Sequence, residues 1–481
     1  MGKLWDFERY ADAPALIGDT GVTVSYRDLS ALAAELNTIV GQAGIRPLIM
    51  CLCRNTLGMI SGCAALLNLG VPVLPVSSEL PEDLRRNLMN TYRPGFLLIP
   101  GDLRAAFSAM RAVYEIRDCV LLRTNYAEYF PVHPELGLLI TTSGSTGSAK
   151  LVRQSRDNLR FNAAALASFF QMKPGDRAIT CLPLQYTYGL SVLQAGLLSG
   201  AATVVTKSGV MDSEFWDLFE AEEVTCFHGV PGTYEMLHRI SLFEEEFLHL
   251  RTMTVAGGKL SRELQEDYAR YAEENGKRLI IMYGQSEATA IISRLPPEDA
   301  GRKPGSVGTV VPGGKISILD EQGNPVAGAH VRGELCYQGP NVAMGYAQRG
   351  EDLALGDEWG GILRTGDLAE IDGDGYVTIT GRKKRILKMA GHRISLDEVD
   401  SMIMDELNIL SASVGTDDHL TVFVTDAQAG EAVGAFIRGK ISAARAGFRV
   451  TVIPELPRNE GGKILYAMLQ EEAEKAGWSD T

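Results

Sequence analysis

Short apolar runs alternate with amphipathic stretches of helix length from residue 15 to about residue 300. The stretches 29–41 and 262–275 are long enough for helices, whereas the apolar runs between such stretches are shorter than a typical helix. Strands that alternate with helices predict a layered α/β architecture. The strand candidates are 48–53, 96–99, 136–142, 177–180, 202–205, 252–257 and 278–284.

The pattern changes after about residue 303, where short β runs are broken by Gly and Pro. Such runs indicate hairpins or a small barrel-like part over about 303–380. A basic cluster at 381–385 then precedes a shorter tail with helix and strand signals of its own. We therefore expect a large N-terminal domain over 1–383 and a small C-terminal domain over 384–481.

The composition narrows the class of protein. A chain of 481 residues exceeds one ordinary hydrophobic core, so two or three domains are expected. A formal net charge of −14 argues against a broad surface for nucleic acid or anionic membrane, because such partners bind clustered Lys and Arg. Residues 1–15 lack the apolar stretch of a secretory signal, and the seven cysteines form no CxxC pair. These features predict a cytoplasmic protein with reduced thiols.

One uncharged segment, residues 55–78, is long enough to span a bilayer. Gly58, Gly62 and Gly70 interrupt it, and the apolar run at 71–76 is typical of a buried strand. We interpret the segment as a helix of small residues followed by a buried strand, and we predict no membrane span.

Chemistry is first indicated by the stretch TTSGSTGSAK at 141–150. Glycines allow backbone N–H groups to approach phosphate oxygens, hydroxyls donate further hydrogen bonds, and Lys150 adds a positive charge. The spacing differs from the GxxxxGK[ST] of the P-loop, because Gly147 lies three residues before Lys150 and Leu151 follows. The stretch predicts a phosphate site of another kind, with a flexible Ser/Gly linker as the alternative.

The segment TSGSTGSAK resembles the phosphate-loop signature of the adenylate-forming superfamily, which includes acyl-CoA synthetases, nonribosomal peptide adenylation domains and luciferases. The usual form is TSGTTGxPKG, and this chain has Ala149 and Leu151 at the Pro and Gly positions. Other similar segments follow in the family's order. They are AGGKL at 256–260, YGQSEAT at 283–289, RTGDLAEIDGDGYV at 364–377, GRKKRILKMAGHRIS at 381–395 and PRNEGGKILY at 457–466.

The resemblance implies a large α/β domain, a small mobile α+β domain and an ATP site. Taken alone, these segments also fit turns, a helix cap or a solvated basic face. By resemblance, Glu287 takes Mg²⁺, Asp367 binds the ribose hydroxyls, and Lys463 contacts the carboxylate of the acid. The expected ATP-binding residues are Thr142, Ser143, Gly144, Ser145, Thr146, Gly147, Lys150, Gly257, Gly258, Tyr283, Gly284, Ser286, Asp367 and Arg382; the expected catalytic residues are Lys150, Ser286, Glu287 and Lys463.

The implied reaction has two steps. ATP activates a carboxylic acid as its acyl-adenylate with release of pyrophosphate, and the acyl group then passes to a thiol. In the family the C-terminal domain turns about a hinge between the steps, and Lys384 occupies the hinge position. The resemblance leaves two acceptors open: coenzyme A, or the phosphopantetheine arm of a separate carrier protein.

The acid is less well defined. Amino-acid activators place an Asp near the substrate ammonium, whereas the corresponding segment LPLQYTYGL at 182–190 is uncharged and more similar to that of acyl and aryl ligases. A buried unpaired ammonium is costly, which favours a non-amino acid. Tyr186 and Tyr188 also fit a core, and His228 also fits a structural role. The candidate pocket residues are Tyr186, Tyr188, His228, Gly257 and Gly284.

Two other functions stay open. One is a stand-alone amino-acid adenylation enzyme that loads a carrier protein. The other is a nucleotide-binding regulator without catalysis, which the presence of Glu287 and Lys463 disfavours.

Overall fold

The computed structural model describes residues 3–42, 46–141, 150–389, 392–440, 447–459 and 462–476. In these ranges the helices are α1 (Tyr26–Gly41), α2 (Leu57–Asn68), α3 (Glu82–Tyr92), α4 (Arg156–Phe170), α5 (Thr187–Ser199), α6 (Ser213–Ala221), α7 (Pro231–Arg239), α8 (Arg262–Glu274), α9 (Leu396–Leu407), α10 (Ala427–Lys440) and α11 (Tyr466–Lys475). The strands are β1 (Pro14–Gly18), β2 (Thr23–Ser25), β3 (Ile49–Cys53), β4 (Val73–Ser77), β5 (Phe96–Pro100), β6 (Arg111–Ile116), β7 (Cys119–Arg123), β8 (Leu136–Thr141), β9 (Leu151–Ser155), β10 (Arg177–Ile179), β11 (Ala202–Val205), β12 (Cys226–Gly229), β13 (Thr252–Val255), β14 (Arg278–Tyr283), β15 (Ser293–Leu295), β16 (Thr309–Val310), β17 (Lys315–Leu319), β18 (Pro325–Val326), β19 (Gly333–Gln338), β20 (Gly345–Ala347), β21 (Ile362–Ile371), β22 (Val377–Arg382), β23 (Ile386–Met389), β24 (His392–Ser395), β25 (Ala412–Thr416), β26 (His419–Val424) and β27 (Phe448–Val452).

Two large sheets form the framework of the N-terminal part. One has the strand order β16-β15-β14-β13-β12-β10-β11-β1-β2 and is parallel from β14 to β1. The other has the order β20-β9-β8-β4-β3-β5-β7-β6, with parallel pairing among β8, β4, β3 and β5. Parallel strands joined by helices are the α/β layers that the apolar runs predicted, and that prediction is confirmed.

The uncharged segment 55–78 forms α2 followed by β4. The helix is buried from Gly58 to Asn68, as a helix that is apolar on every side must be. A Cβ at Gly58 would lie 2.3 Å from the carbonyl oxygen of Ile116, so the glycine permits close packing. The interpretation as a buried helix and strand is confirmed. Among the described residues, no helix combines the length and the apolar character that crossing a membrane requires.

The region after residue 303 contains an antiparallel five-stranded sheet. Its order is β18-β17-β19-β21-β22, whereas β20 joins the eight-stranded sheet. The expected hairpins are present, and in the described residues β18 and β22 form the edges of the sheet instead of closing a barrel. This sheet carries Asp367 on β21 and Arg382 on β22, directly opposite each other.

The C-terminal part has its own small core. The sheet β25-β26-β27 packs against α9, α10 and α11. The buried side chains of this core include Val399, Ile403 and Val422. A separate core gives the small α+β domain that was expected, and the expectation is confirmed. A boundary between residues 383 and 384 stays a prediction.

Candidate active site

Three parallel strands bring two of the expected segments together. In the order β12-β13-β14, the strands end at Gly229, Val255 and Tyr283. Gly229 pairs with Val255, and Val255 pairs with Ile281. Ligands of open α/β sheets bind outside the carboxyl ends of the strands. The segments 256–260 and 283–289 therefore meet at the edge of the sheet that is formed by the carboxyl ends of these strands.

The buried carboxylate of Asp367 is held in a hydrogen-bonded network at this edge. The hydroxyl of Tyr283 donates to its Oδ2 atom at 2.5 Å, and Nε2 of Gln285 donates to the same atom at 2.7 Å. Gln285 also donates to the carbonyl of Thr365 at 3.1 Å. Burial and the neighbouring Asp367 raise the pKa of Tyr283, so its phenol keeps the proton that it donates. The sequence motifs did not single out Gln285, which joins Tyr283 to Asp367.

Arg382 faces the other oxygen of this carboxylate. Its Nε lies 3.5 Å from Oδ1 of Asp367, because β21 and β22 pair the two residues. The guanidinium is well exposed, whereas Asp367 is 6% exposed. Oδ2 of Asp367 is therefore held by two hydrogen bonds, whereas Oδ1 is paired more loosely with Arg382.

Glu287 lies in a second network, which is built around Tyr346. The hydroxyl of Tyr346 donates to Oε1 of Glu287 at 2.9 Å, and Nζ of Lys150 lies 3.5 Å from the centre of the Tyr346 ring. The ring of Trp359 packs edge-on against Tyr346 at 4.8 Å. Beside them, Oγ of Ser286 lies 2.7 Å from a hydroxyl of α5, that of Thr187. Tyr346 thus links two expected site residues, although no motif indicated it.

The donor set around Glu287 fits a cation that arrives with a nucleotide. Among the described residues, no three His, Cys, Asp or Glu side chains are grouped so that they could hold a metal ion. Mg²⁺ is commonly bound by one or two carboxylates together with phosphate oxygens, and not by a complete protein cage. A single carboxylate held in place by Tyr346 meets that description.

Lys463 reaches the same edge from the C-terminal part. Its backbone N–H donates to Oδ1 of Asn459 at 3.0 Å, which closes the turn that carries it. Its Cε lies 4.0 Å from the position that a Cβ would take at Gly257. Burial and the charge of Arg382 lower the pKa of Lys463, while Glu287 and Asp367 oppose that shift. The negative charges of both carboxylates thus stabilise the protonated form of Lys463.

The expected glycines of the site have different structural reasons. Gly257 has a φ of +87°, a conformation that favours glycine. At Gly258 a Cβ would lie 3.2 Å from Cγ of Pro231, and at Gly284 it would lie 1.5 Å from the carbonyl oxygen of Ala290. The need for glycine at position 284 therefore arises from close backbone packing, which the sequence interpretation did not include.

The candidate acid pocket contains a short hydrogen-bonded row. The hydroxyls of Tyr188 and Thr254 lie 2.5 Å apart, and Nδ1 of His228 lies 2.7 Å from the same Thr254 oxygen. Burial lowers the pKa of His228 to about 3, so its ring is neutral at physiological pH. Tyr186 is half-buried at the residue before α5. Tyr188 and His228 are thus brought together, through a threonine that no motif indicated.

The remaining expected residues are those of the phosphate loop and Lys384. The phosphate-loop residues Thr142, Ser143, Gly144, Ser145, Thr146 and Gly147 lie outside the described residues. Lys384 is exposed in the turn Lys383–Arg385. Its neighbour Arg385 binds Asp397 at 2.6 Å and Asp400 at 3.1 Å, which anchors the chain to α9 immediately after this turn.

Comparisons with known proteins identify the family of this chain. The sequence model described as AMP-binding enzyme matches residues 5–347. The indoleacetate-CoA ligase of Aromatoleum aromaticum is 27% identical over 92% of this chain and 91% of its own, and the 3-hydroxybenzoate-CoA ligase of an Aromatoleum species is 26% identical over 96% and 94%. The structure of the o-succinylbenzoate CoA synthetase of Bacillus subtilis matches the fold with a TM-score of 0.79 at 22% identity, covering 98% of each chain. The resemblance inferred from the motifs is confirmed, and the chain belongs to the AMP-binding enzyme family.

Proposed function

We propose that this protein uses ATP and Mg²⁺ to convert a carboxylic acid into its acyl-adenylate, and then transfers the acyl group to the thiol of coenzyme A. The observation that carries the proposal is that three groups converge where β13 and β14 end: Asp367 bonds to Tyr283, Glu287 follows Tyr283 in the same segment, and Lys463 lies beside Gly257. Family membership supports the adenylate, and the relatives named as CoA ligases support the acceptor.

The first step joins the acid to the α-phosphorus of ATP. A carboxylate oxygen attacks that phosphorus, and the bond from phosphorus to the bridging oxygen of pyrophosphate breaks. The ammonium of Lys463 offers three donors and a compact charge, which reduces the repulsion between the carboxylate and the α-phosphate. Mg²⁺ held by Glu287 would neutralise part of the phosphate charge. Positioning and electrostatics therefore account for the catalysis in this step.

The nucleotide is held by the N-terminal part. Asp367, fixed by Tyr283 and Gln285, accepts hydrogen bonds from the ribose hydroxyls. Lys150 and the expected loop 142–147 bind the departing pyrophosphate, with Ser286 near the α-phosphate. In this assignment Tyr346 is a positioning residue, because it contacts both Lys150 and Glu287.

The second step requires another face of the site. The thiol sulfur attacks the acyl carbon, AMP leaves, and the thiol proton passes to solvent. We place the domain boundary between residues 383 and 384 and the hinge at Lys384. The polar contacts between the two domains support such a movement, because several of them, such as Arg332 with Glu398 and Arg393 with Glu321, are exposed ion pairs that contribute little stability. Nζ of Lys259 lies 3.1 Å from Oγ of Ser401, and Arg458 lies 3.8 Å from Glu235.

The acid is a non-amino acid, and an aryl-bearing one is favoured. The pocket segment 182–190 supplies no charge for an ammonium. The two relatives compared above are named for indoleacetate and 3-hydroxybenzoate, which are aromatic acids. A carrier protein's phosphopantetheine arm is the alternative acceptor.

The test is acid-dependent exchange between ATP and pyrophosphate. Short alkanoic, long-chain, aryl and amino acids are compared with an acid-free control, and the best acid is then offered with coenzyme A or with a phosphopantetheine-bearing carrier protein. We expect exchange with one or more non-amino acids and thioester formation with coenzyme A. Exchange only with amino acids would support the amino-acid adenylation alternative, whereas ATP binding without exchange for any acid would favour a regulator.

A further inference from the structure

A small cavity lies against the hydrogen-bonded row that ends at His228. Its volume is about 20 Å³, and its walls include Ile60, Leu182, Val192 and His228. A volume of that order holds about one group of the size of a water molecule. The site therefore accommodates a single small substituent and not a long chain.

Most polar groups on its wall already have partners. Asn55 donates to the carbonyl of Leu182 at 3.1 Å and accepts from the N–H of Leu184 at 3.2 Å. His228 is 1% exposed, and its Nε2 is a buried atom without a hydrogen-bond partner in the described part of the chain. An unpaired buried polar atom is destabilising, so a hydrogen-bonding group that enters the cavity would stabilise this position.

The direction of the hydrogen bonds among Tyr188, Thr254 and His228 determines which nitrogen of the histidine ring carries the proton. If Tyr188 donates to Thr254 and Thr254 donates to Nδ1, both hydroxyl protons are used and the neutral ring carries its proton on Nε2. In the reverse direction, the hydroxyl proton of Tyr188 has no acceptor among the hydrogen bonds found in the described residues. The first direction satisfies more groups, so Nε2–H is the unpaired donor.

The cavity lies close to the place where Lys463 enters. His228 and Thr254 are opposite each other on β12 and β13. Two residues after His228, Cγ1 of Val230 lies 3.4 Å from the position that a Cβ would take at Gly257, the glycine beside Lys463. The row therefore lies two residues along the chain from the segment beside Lys463, within reach of the acyl part of an acid whose carboxylate binds that lysine.

We propose that Nε2–H of His228 recognises an uncharged oxygen acceptor, such as a hydroxyl, carbonyl or ether oxygen, on the acyl part of the substrate. This inference rests on the proposed function. A charged substituent is disfavoured, because the neutral ring is buried among apolar walls and offers no opposite charge. Plain hydrocarbon acids leave the donor unpaired and are therefore the poorer substrates.

The test uses pairs of acids that differ by one oxygen. Benzoate with its hydroxybenzoates, phenylacetate with its hydroxy derivatives, and alkanoates with their oxo and hydroxy derivatives are compared by kcat/KM in pyrophosphate exchange. We expect the wild-type protein to prefer the oxygenated member of at least one pair by about tenfold or more. His228→Phe keeps a ring but removes the donor, so we expect the ratio of kcat/KM between the oxygenated acid and the plain acid to fall to about one.

Two further variants separate recognition from packing. His228→Gln places an amide N–H near the position of Nε2, and we expect it to restore part of the preference. Phe170→Leu alters a ring 5.0 Å from that of His228 without touching a hydrogen bond, so both members of a pair are expected to change alike.

Each outcome decides the matter. Exchange without any preference in the wild type would mean that Nε2 holds only a buried water and would overturn the inference. The inference also fails if His228→Phe keeps the preference. Absence of exchange with every acid would overturn the proposed function as well, and so the two failures are distinguishable.

Discussion

The two sides of the site are built in opposite ways. On one side, Tyr283, Gln285 and Asp367 form part-buried hydrogen bonds of 2.5 to 2.7 Å within one domain. On the opposite side, Lys463 stands on a turn closed by Asn459, and it reaches the site from the other domain. In the proposed mechanism, this difference means that the groups that hold the nucleotide are preorganised within one domain, whereas the catalytic charge is supplied by a second domain.

Removal of the delivered charge should have the largest effect. In Lys463→Ala we expect adenylation, measured by pyrophosphate exchange, to fall by about 10²–10³-fold, because one preorganised donor at a developing charge has that effect. ATP binding, measured by calorimetry, should change little. Lys475→Ala, at the exposed end of α11, is the matched control. Unchanged exchange in Lys463→Ala would contradict the assigned role.

Disruption of the preorganised side should act on affinity instead. In Asp367→Ala we expect the KM for ATP to rise by about 10–100-fold, because charge-assisted hydrogen bonds to the ribose are lost and Tyr283 loses its acceptor. Asp374→Asn, at an exposed carboxylate paired with Lys303, serves as the control. A fall in kcat at unchanged affinity for ATP would show that the carboxylate does not hold the nucleotide.

A positioning residue should show a smaller and more specific effect. Tyr346→Phe keeps the ring beside Lys150 but removes the hydroxyl that fixes Glu287. We expect the Mg²⁺ concentration for half-maximal activity to rise by about tenfold, a typical cost of losing a partner that orients a metal ligand. Tyr126→Phe, whose hydroxyl contacts Asn90 on the surface, should leave it unchanged. An equal Mg²⁺ requirement in both variants would remove the proposed link.

The smallest effect is expected in the pH dependence of adenylation. Lys463 acts as a cation, so adenylation declines as the pH rises through its pKa, which burial and then Arg382 lower. Removal of that neighbouring charge raises the pKa, and Arg382→Gln should therefore shift the alkaline limb to higher pH at saturating ATP. Arg160→Gln, on the surface of α4, is the control. A limb that moves to lower pH would contradict the assignment.

The fold was accessible from local patterns. The run at 278–284 and the helix at 262–275 lie within a residue or two of β14 and α8, because period and length reflect burial directly. The segment 55–78 was interpreted correctly from its glycines and its apolar run. The paired networks were not accessible in this way. Tyr346 lies 59 residues from Glu287, and no local propensity specifies such a contact.

The sequence by itself determined the class of architecture, the family and the order of the chemical segments, because those depend on periodicity and on contiguous motifs. Only the tertiary structure decided that Gln285 completes the network around Asp367, that Gly284 is required by the backbone of Ala290, and that one nitrogen of His228 has no partner among the described residues. The physical reason is that hydrogen-bond satisfaction and steric exclusion are properties of groups that meet across the fold, and neither is expressed in the local order of residues.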